Sequence, residues 1–233
     1  MGEFDGGSAW LVQHFGRALL GLAGVTLSGG VTALAPKIGV ATRVPDGLLQ
    51  ADATDPAAVP ELYLLEIATR GETRLPQQMH DDLALSRLAL KRVPNGVAFV
   101  LWPHAAAGLV ERHREESSRG WSSVETRWKV IRCYELDAAA VLVRGEPGLA
   151  PIALVAQTTE PAPRLAEQVR QLVDVQVPDG VEQANLLAVC QVFAELRYKV
   201  AAALTSSSRP ASVPRRDSSL RAVGAALARL PPR

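Results

Sequence analysis

The sequence predicts an α/β protein, because short apolar runs and helical repeats alternate along the chain. Residues 62–67 and 97–102 are short apolar runs, which are typical of buried strands. Between them, Pro76 opens a helical pattern that extends to about residue 92, and proline is favoured in the first turn of a helix. A longer helical pattern covers residues 182–204. This order indicates a sheet flanked by helices, followed by a helical section.

The remaining elements follow from the same patterns. Helices are predicted over residues 9–22, 137–143 and 164–175, and strands over residues 27–34, 38–43 and 121–134. Turns or loops are predicted over residues 45–47, 52–60, 70–74, 95–96 and 145–151, and residues 104–120 are expected to be looped or helical. On the helix that Pro76 opens, the face predicted to point inward holds Met79, Leu83, Leu85, Leu88 and Leu90.

The composition is that of a globular protein: 48% of the 233 residues are hydrophobic and 21% are charged. The net charge is +1, so any basic surface must be local. No apolar run is long enough to span a membrane, and Glu3 and Asp5 stand where a signal peptide carries positive charge. Cys133 and Cys190 fit neither a metal-ligand spacing nor a disulfide framework, so we expect buried free thiols. We therefore expect a cytoplasmic protein without a membrane partner.

One acid lies inside the first apolar strand. Glu66 shares a strand face with Leu64 and Ala68, and a carboxylate there is costly to bury without a partner. It is expected either to pair with a cation, Arg43 or Arg70, or to bind a metal. Asp46, in the Pro45-Asp46-Gly47 turn upstream, would be the second acid of a metal site, since two hard oxygen ligands suit magnesium.

Asp46 has other interpretations. Pro-Asp-Gly is a strong turn signal by itself, so Asp46 could serve the turn alone. Asp52 and Asp55 are rival first acids, although both lie in a stretch with the composition of a loop.

Five segments in order carry a family resemblance: Glu66-Ile67-Ala68-Thr69-Arg70, Leu75-Pro76-Gln77-Gln78-Met79, Val97-Ala98-Phe99-Val100-Leu101-Trp102-Pro103, Trp128-Lys129-Val130-Ile131-Arg132-Cys133-Tyr134-Glu135-Leu136 and Gly148-Leu149-Ala150-Pro151-Ile152-Ala153-Leu154. With the Pro45-Asp46 turn ahead of them, they resemble the PD-(D/E)XK nuclease superfamily. Within it, they are most similar to the transposase-like, recombination-promoting nucleases common in cyanobacteria and planctomycetes. Leu196-Arg197-Tyr198 resembles the closing helix of that branch, so the resemblance covers roughly residues 1–200.

The resemblance implies a restriction-endonuclease-like mixed β-sheet flanked by helices over residues 1–155 and a helical C-terminal section over residues 156–204. It implies hydrolysis of DNA phosphodiesters with Mg²⁺ as the cofactor and DNA as the partner. Asp46 and Glu66 stand at the positions of the family's acids, so both are the implied catalytic and metal-binding residues.

The chain also departs from this pattern. Two residues after the strand acid, the superfamily has a lysine and this branch a glutamine, which would orient or polarise the attacking water. Here that position is Ala68, which can do neither. Gln77 and Gln78 replace basic residues of the branch, and Asp82 lies near the position of its tyrosine. The alternative function is therefore that of an inactive nuclease relative that serves as a DNA-binding or protein-interaction module.

The other polar residues do not indicate a catalytic or metal site. His80, Asp81 and Asp82 are adjacent on a helix, so they diverge around it and are expected to form a solvated face. His14, His104 and His113 have no partner at motif spacing. In the stretch 111–119, arginines alternate with glutamates, which indicates a solvated surface rather than a DNA-binding stripe.

The last segment, residues 205–233, is predicted to be a disordered basic tail. Its serines and prolines cannot bury enough apolar area to offset the entropy of ordering. Six arginines face one acid, Asp217: Arg209, Arg215, Arg216, Arg221, Arg229 and Arg233. We expect the tail to add salt-sensitive, non-specific affinity for DNA phosphates.

Overall fold

The computed structural model describes residues 3–34, 45–53, 59–69, 73–103 and 110–207. The chain divides into two compact units, Met1–Cys133 and Tyr134–Arg233. The strands of the described residues all belong to the first unit, and the described part of the second is helical. The division therefore comes earlier than residue 155, where the sequence placed the end of the nuclease-like core. The predicted strand over residues 38–43 and the part of the predicted tail beyond residue 207 lie outside the described residues.

The first unit is built on a mixed five-stranded sheet. Its helices are α1 (Glu3–Leu22) and α2 (Leu75–Leu90), and its strands are β1 (Val31–Leu34), β2 (Gly47–Ala51), β3 (Glu61–Ala68), β4 (Asn95–Val100), β5 (Arg112–Glu116), β6 (Ser123–Arg127) and β7 (Lys129–Arg132). The sheet has the order β1-β2-β3-β4-β7, with β1 to β3 antiparallel and β3, β4 and β7 parallel. Strands β5 and β6 form a separate antiparallel pair. The predicted α/β class with a mixed sheet is confirmed.

Helices α1 and α2 pack on opposite faces of the sheet. On one face, Gly16 of α1 lies so close to β2 that an added Cβ would stand 2.5 Å from Leu49 Cδ1. On the other face, a Cβ added to Gly96 of β4 would stand 3.1 Å from Met79 Cε on α2. Strand β3 lies between these helices, which explains why its apolar run is almost continuous. Helix α2 connects β3 to the parallel strand β4, as such a pair of strands requires.

The buried face of α2 differs from the predicted one. Met79 and Leu83 are buried as expected, but Leu85 and Leu90 are partly exposed and the prediction for Leu88 is wrong, since it is 64% exposed. The buried stripe contains Leu75, Met79, His80, Asp82, Leu83 and Ser86. These positions repeat at three- and four-residue steps, so the helix buries three polar side chains and leaves Leu88 towards solvent.

Three local predictions after α2 are wrong. Residues 95–96 do not form a turn but begin β4, where the absence of a side chain at Gly96 lets Met79 and Trp128 approach. Part of the stretch predicted as looped or helical is strand β5. The single strand predicted over residues 121–134 is two strands, since β6 pairs with β5 whereas β7 joins the main sheet. Backbone pairing decided these elements, and β5 and β6 carry almost no buried side chain that could have predicted them.

The described part of the second unit contains four α-helices, α3 (Ala138–Val143), α4 (Ala150–Val155), α5 (Ala162–Gln176) and α6 (Gly180–Ser207). The predicted helices here are confirmed, and the predicted connector over residues 145–151 contains a 3₁₀ turn and the start of α4. Helix α4 is buried along its whole length, and Arg197 Nη1 of α6 donates to the carbonyl oxygens of Leu154 and Ala156, at 3.0 and 2.6 Å. Cys133 and Cys190 are buried and free, as predicted. In the described part of the chain, every helix is too short or too polar to cross a membrane.

Candidate functional site

Asp46 and Glu66 lie at the same end of neighbouring strands. The ladder between β2 and β3 begins with Gly47 opposite Leu65, so one step further along this register Asp46 stands opposite Glu66. Asp46 is held there, because its Oδ2 accepts a hydrogen bond from the backbone N–H of Ile67 at 2.8 Å. Residues opposed in this way across antiparallel strands have Cβ atoms about 5 Å apart. The structure therefore brings together the two acids that the sequence paired.

The rival first acids do not take this place. Asp52 follows the last residue of β2, Ala51, and so lies at the opposite end of that strand from Asp46. Its backbone N–H donates to the carbonyl oxygen of Gly30 at 2.7 Å, which ties it to the start of β1. Asp55 lies outside the described residues.

Glu66 is on the face of β3 that α2 covers, beside Ala98 of β4. The side-chain amide of Gln78, in the first turn of α2, donates to Glu66 Oε1. Sequence reasoning noted Gln78 only as a departure from the family pattern and missed this contact. The signal was available, because a helix that opens at Pro76 soon after β3 places its first turn near the end of that strand. The cation partners expected for Glu66, Arg43 and Arg70, lie outside the described residues.

Ala68 occupies the position at which the family resemblance requires a polar side chain. It is on the same strand face as Glu66, one repeat further along β3, and it is partly exposed. Its methyl group offers neither a hydrogen-bond donor nor a charge. Gln78 on α2 provides a polar contact to Glu66 that the side chain at position 68 cannot make.

Two residues of α2 on either side of Gln78 contact the pair of strands β5 and β6. Gln77 Nε2 donates to Glu115 Oε1 at 2.9 Å, and His80 Nδ1 lies 3.0 Å from Thr126 Oγ1. The Nε2 atoms of His80 and His113 each lie 3.6 Å from an oxygen of the Glu115 carboxylate, and the two imidazole rings meet edge to face at 5.0 Å. Sequence spacing could not reveal this cluster, because its members come from three separate elements.

The solvated face predicted for His80, Asp81 and Asp82 is therefore wrong for two of the three. His80 is 5% exposed and Asp82 is 1% exposed, whereas Asp81 is exposed and accepts a hydrogen bond from Gln77. The physical reason for His80 is that β5 and β6, which the sequence did not predict as a hairpin, cover this side of α2. The hydrogen bond from Gln77, followed by the nearby imidazoles, lowers the pKa of Glu115 below its ordinary 4.5.

The donor set at Asp46 and Glu66 fits Mg²⁺. This ion prefers carboxylate oxygens and keeps several waters, so one or two carboxylates suffice to hold it. Among the described residues, no group of three or more His, Cys, Asp and Glu side chains is arranged to hold a metal ion. A site here would depend on these two acids and on water.

No protein-family model, no curated protein and no solved structure matches the chain.

Proposed function

We propose that the protein is a magnesium-dependent DNA phosphodiesterase of the PD-(D/E)XK type. Its active site has alanine at position 68 in place of a polar side chain, so the reaction is expected to be slow. The observation that carries this proposal is the position of Asp46 opposite Glu66 at one end of β2 and β3. Two acids from a turn and a strand, at a sheet end that is partly exposed, are suited to holding a divalent cation against a phosphate.

The element order supports the same proposal. The resemblance implies a Pro-Asp turn, an acid-bearing strand, a helix and a further strand. In the chain, Asp46 precedes β2, Glu66 is in β3, and α2 leads to β4. Helix α2, which connects β3 to the parallel strand β4, covers the face that carries Glu66. The Pro-Asp turn and strands β2 and β3 are enough to bring Asp46 and Glu66 together.

Each residue of the site has a distinct part in the proposed reaction. Mg²⁺, when bound, supplies positive charge at the scissile phosphate and a water of lowered pKa. Asp46 and Glu66 bind the ion, and the N–H of Ile67 fixes the orientation of Asp46. Gln78 fixes Glu66. Ala68 leaves the attacking water without a side-chain partner, so the rate is expected to be low.

A second candidate follows from the same observation at Ala68. With no polar group at this position, the chain would be an inactive nuclease relative that retains DNA or protein binding. The two candidates differ in whether Asp46 and Glu66 still bind a divalent cation, and this difference can be measured without a cleavage assay.

The test combines cation binding with cleavage. Mn²⁺ affinity, followed by electron paramagnetic resonance, and nicking of supercoiled plasmid in Mg²⁺ or Mn²⁺ are measured for the full chain. The Asp46→Asn and Glu66→Gln variants are expected to weaken Mn²⁺ binding at least tenfold and to abolish the weak nicking. Asp52→Asn is the matched control, since Asp52 lies at the other end of β2, and it should change neither quantity.

Strong nicking that survives Glu66→Gln would place the active centre elsewhere. If the unaltered chain neither binds Mn²⁺ nor nicks DNA, the second candidate replaces the first.

A further inference from the structure

The charged residues of β5 and β6 are sorted by face. In sequence, arginines and glutamates alternate, but a strand turns successive side chains to opposite sides. His113, Glu115 and Thr126 lie on the side that contacts α2. The register places the following residues on the other side, here called the outer face: Arg112, Arg114, Glu116, Ser123, Glu125 and Arg127. The interleaving that indicated an ordinary solvated surface thus resolves into a face with three arginines and two glutamates.

Arg112 and Arg127 are directly opposite each other on the outer face. Like charges in this arrangement repel each other and destabilise the pair of strands unless an anion lies between them. Glu125 partly neutralises this charge, because its Oε1 lies 2.7 Å from Arg127 Nε. The arginines Arg127, Arg112 and Arg114, in that order of effect, lower the pKa of Glu125. Arg114 contacts the second carboxylate of the outer face, Glu116, at 3.0 Å. The outer face thus carries one more guanidinium group than carboxylates.

The turn between β5 and β6 presents an aromatic ring. Trp121 is 81% exposed, and the guanidinium carbon of Arg119 lies 5.1 Å from the centre of its ring. The turn is closed by hydrogen bonds from the Ser117 N–H to the Ser122 carbonyl at 2.9 Å and from the Gly120 N–H to the Ser117 carbonyl at 2.8 Å. Gly120 has a φ of 70°, which glycine adopts without strain. The tryptophan is thus held outward on an ordered turn, where it contributes little to the core.

We propose that the outer face of β5 and β6 binds single-stranded DNA, with Trp121 stacking on a base and the arginines contacting phosphates. An exposed aromatic ring beside a guanidinium group is the usual platform for an unstacked base. Arg112, Arg114 and Arg127 follow along the strands from the turn, over roughly 14 Å at about 3.4 Å per residue. A phosphate between Arg112 and Arg127 would relieve their repulsion. The excess of arginine over glutamate favours a polyanion over a protein surface as the ligand.

This surface is connected to the candidate site through α2. Gln77 and His80 hold the inner side of β5 and β6, and Gln78 between them contacts Glu66. The choice of DNA as the ligand rests on the proposed function, but the binding surface does not require cleavage.

The test measures binding without catalysis. Fluorescence anisotropy of a labelled 20-nucleotide oligothymidylate and of a duplex of equal length is followed in EDTA with the full chain. Trp121→Ala is expected to weaken oligothymidylate binding about five- to a hundredfold, whereas Trp121→Phe, which keeps an aromatic face, should retain most of the affinity. The double change Arg112→Ala with Arg127→Ala should reduce the slope of log K against log salt by about 0.7 for each phosphate that the protein no longer neutralises.

Arg164→Ala is the matched arginine control, because this residue is exposed and ion-paired with Glu160 in the second unit. It should leave both affinity and salt slope unchanged. Circular dichroism and melting temperature confirm that each variant folds. The inference would be overturned if Trp121→Ala bound the oligothymidylate as tightly as the unaltered chain, or if the unaltered chain preferred the duplex. It would also be overturned if the chain bound no oligonucleotide but bound a protein through Trp121. If the unaltered chain does not nick DNA but Glu66→Gln still binds the oligothymidylate, the proposed function is wrong and the binding surface on β5 and β6 stands.

Discussion

The side-chain amide of Gln78 donates a hydrogen bond to the carboxylate of Glu66, and this contact joins the first turn of α2 to the end of β3. Two residues further along β3, Ala68 contributes only a methyl group. A polar partner of Glu66 is therefore provided by the helix. A glutamine on the helix can orient Glu66, but it holds a different position from a side chain on the strand.

Removing the amide of Gln78 should reduce stability. Gln78→Met keeps the length of the side chain and removes the donor to a partly buried carboxylate, so we expect a decrease of about 0.5–1.5 kcal/mol in the free energy of unfolding. Urea denaturation measures it. Gln191→Met is the control, because Gln191 donates to Glu195 over a longer 3.4 Å contact on an exposed part of α6. An equal change in both variants would show that the Gln78 contact is not specific.

If the proposed nuclease function is correct, a polar side chain at position 68 should raise the rate of DNA nicking. Ala68→Lys and Ala68→Gln place a donor on the face of Glu66, where it can position the attacking water, so the initial rate of plasmid nicking should rise roughly tenfold or more. Ala68→Leu controls for the added volume and should give no increase. If Leu raises the rate as much as Lys, the increase has another cause.

The close approach of α1 to β2 should make Gly47 intolerant of a side chain. A Cβ at this position would stand 2.8 Å from Val12 Cβ and closer still to Val12 Cγ1. We expect Gly47→Ala to lower the free energy of unfolding by about 1–3 kcal/mol, measured by urea denaturation. The added change Val12→Ala should recover part of this stability, because it opens space at the contact.

Gly21 provides the matched control for Gly47. It is near the end of α1, and an added Cβ would meet nothing within 4 Å. Gly21→Ala should therefore leave stability unchanged or raise it by up to about 1 kcal/mol. Similar effects of alanine at both positions would contradict the packing of α1 on β2.

The contact between α2 and β5 should depend on pH through Glu115. The folded protein lowers the pKa of this carboxyl, first through the hydrogen bond from Gln77 and then through His80 and His113. The stabilisation is fully present above the ordinary pKa of 4.5 and is lost as pH falls through the lowered value. The melting temperatures of the unaltered chain and of Glu115→Gln should therefore converge as pH falls below about 4.5.

Salt provides the control for this pH dependence. Glu115 is solvent-exposed, so its interaction with the imidazoles is screened, and the difference between the two proteins at neutral pH should shrink in high salt. A difference that stays constant down to strongly acidic pH would show that it does not come from the ionised carboxylate of Glu115.

Much of the main sheet could be predicted from local pattern. The apolar run of β3, the helix opened by Pro76 and the following strand were found because each buries a regular set of side chains. The pairing of Asp46 with Glu66 was also predictable, since a turn just ahead of one strand and an acid near the end of the next meet in an antiparallel ladder. The full set of buried side chains of α2 could not be predicted, because the buried side of a helix depends on the elements that cover it.

The sequence by itself therefore determined the α/β class, the central strands and the two acids, because hydrophobic periodicity and turn chemistry are local properties. Only the tertiary structure decided that β5 and β6 exist as strands, that they bury His80, and that Gln78 reaches Glu66. Strand β5 is polar at every position, so no hydrophobic period marks it. Its backbone hydrogen bonds to β6 and its contact with α2 form only when distant segments meet, and these contacts also set the face on which each arginine lies.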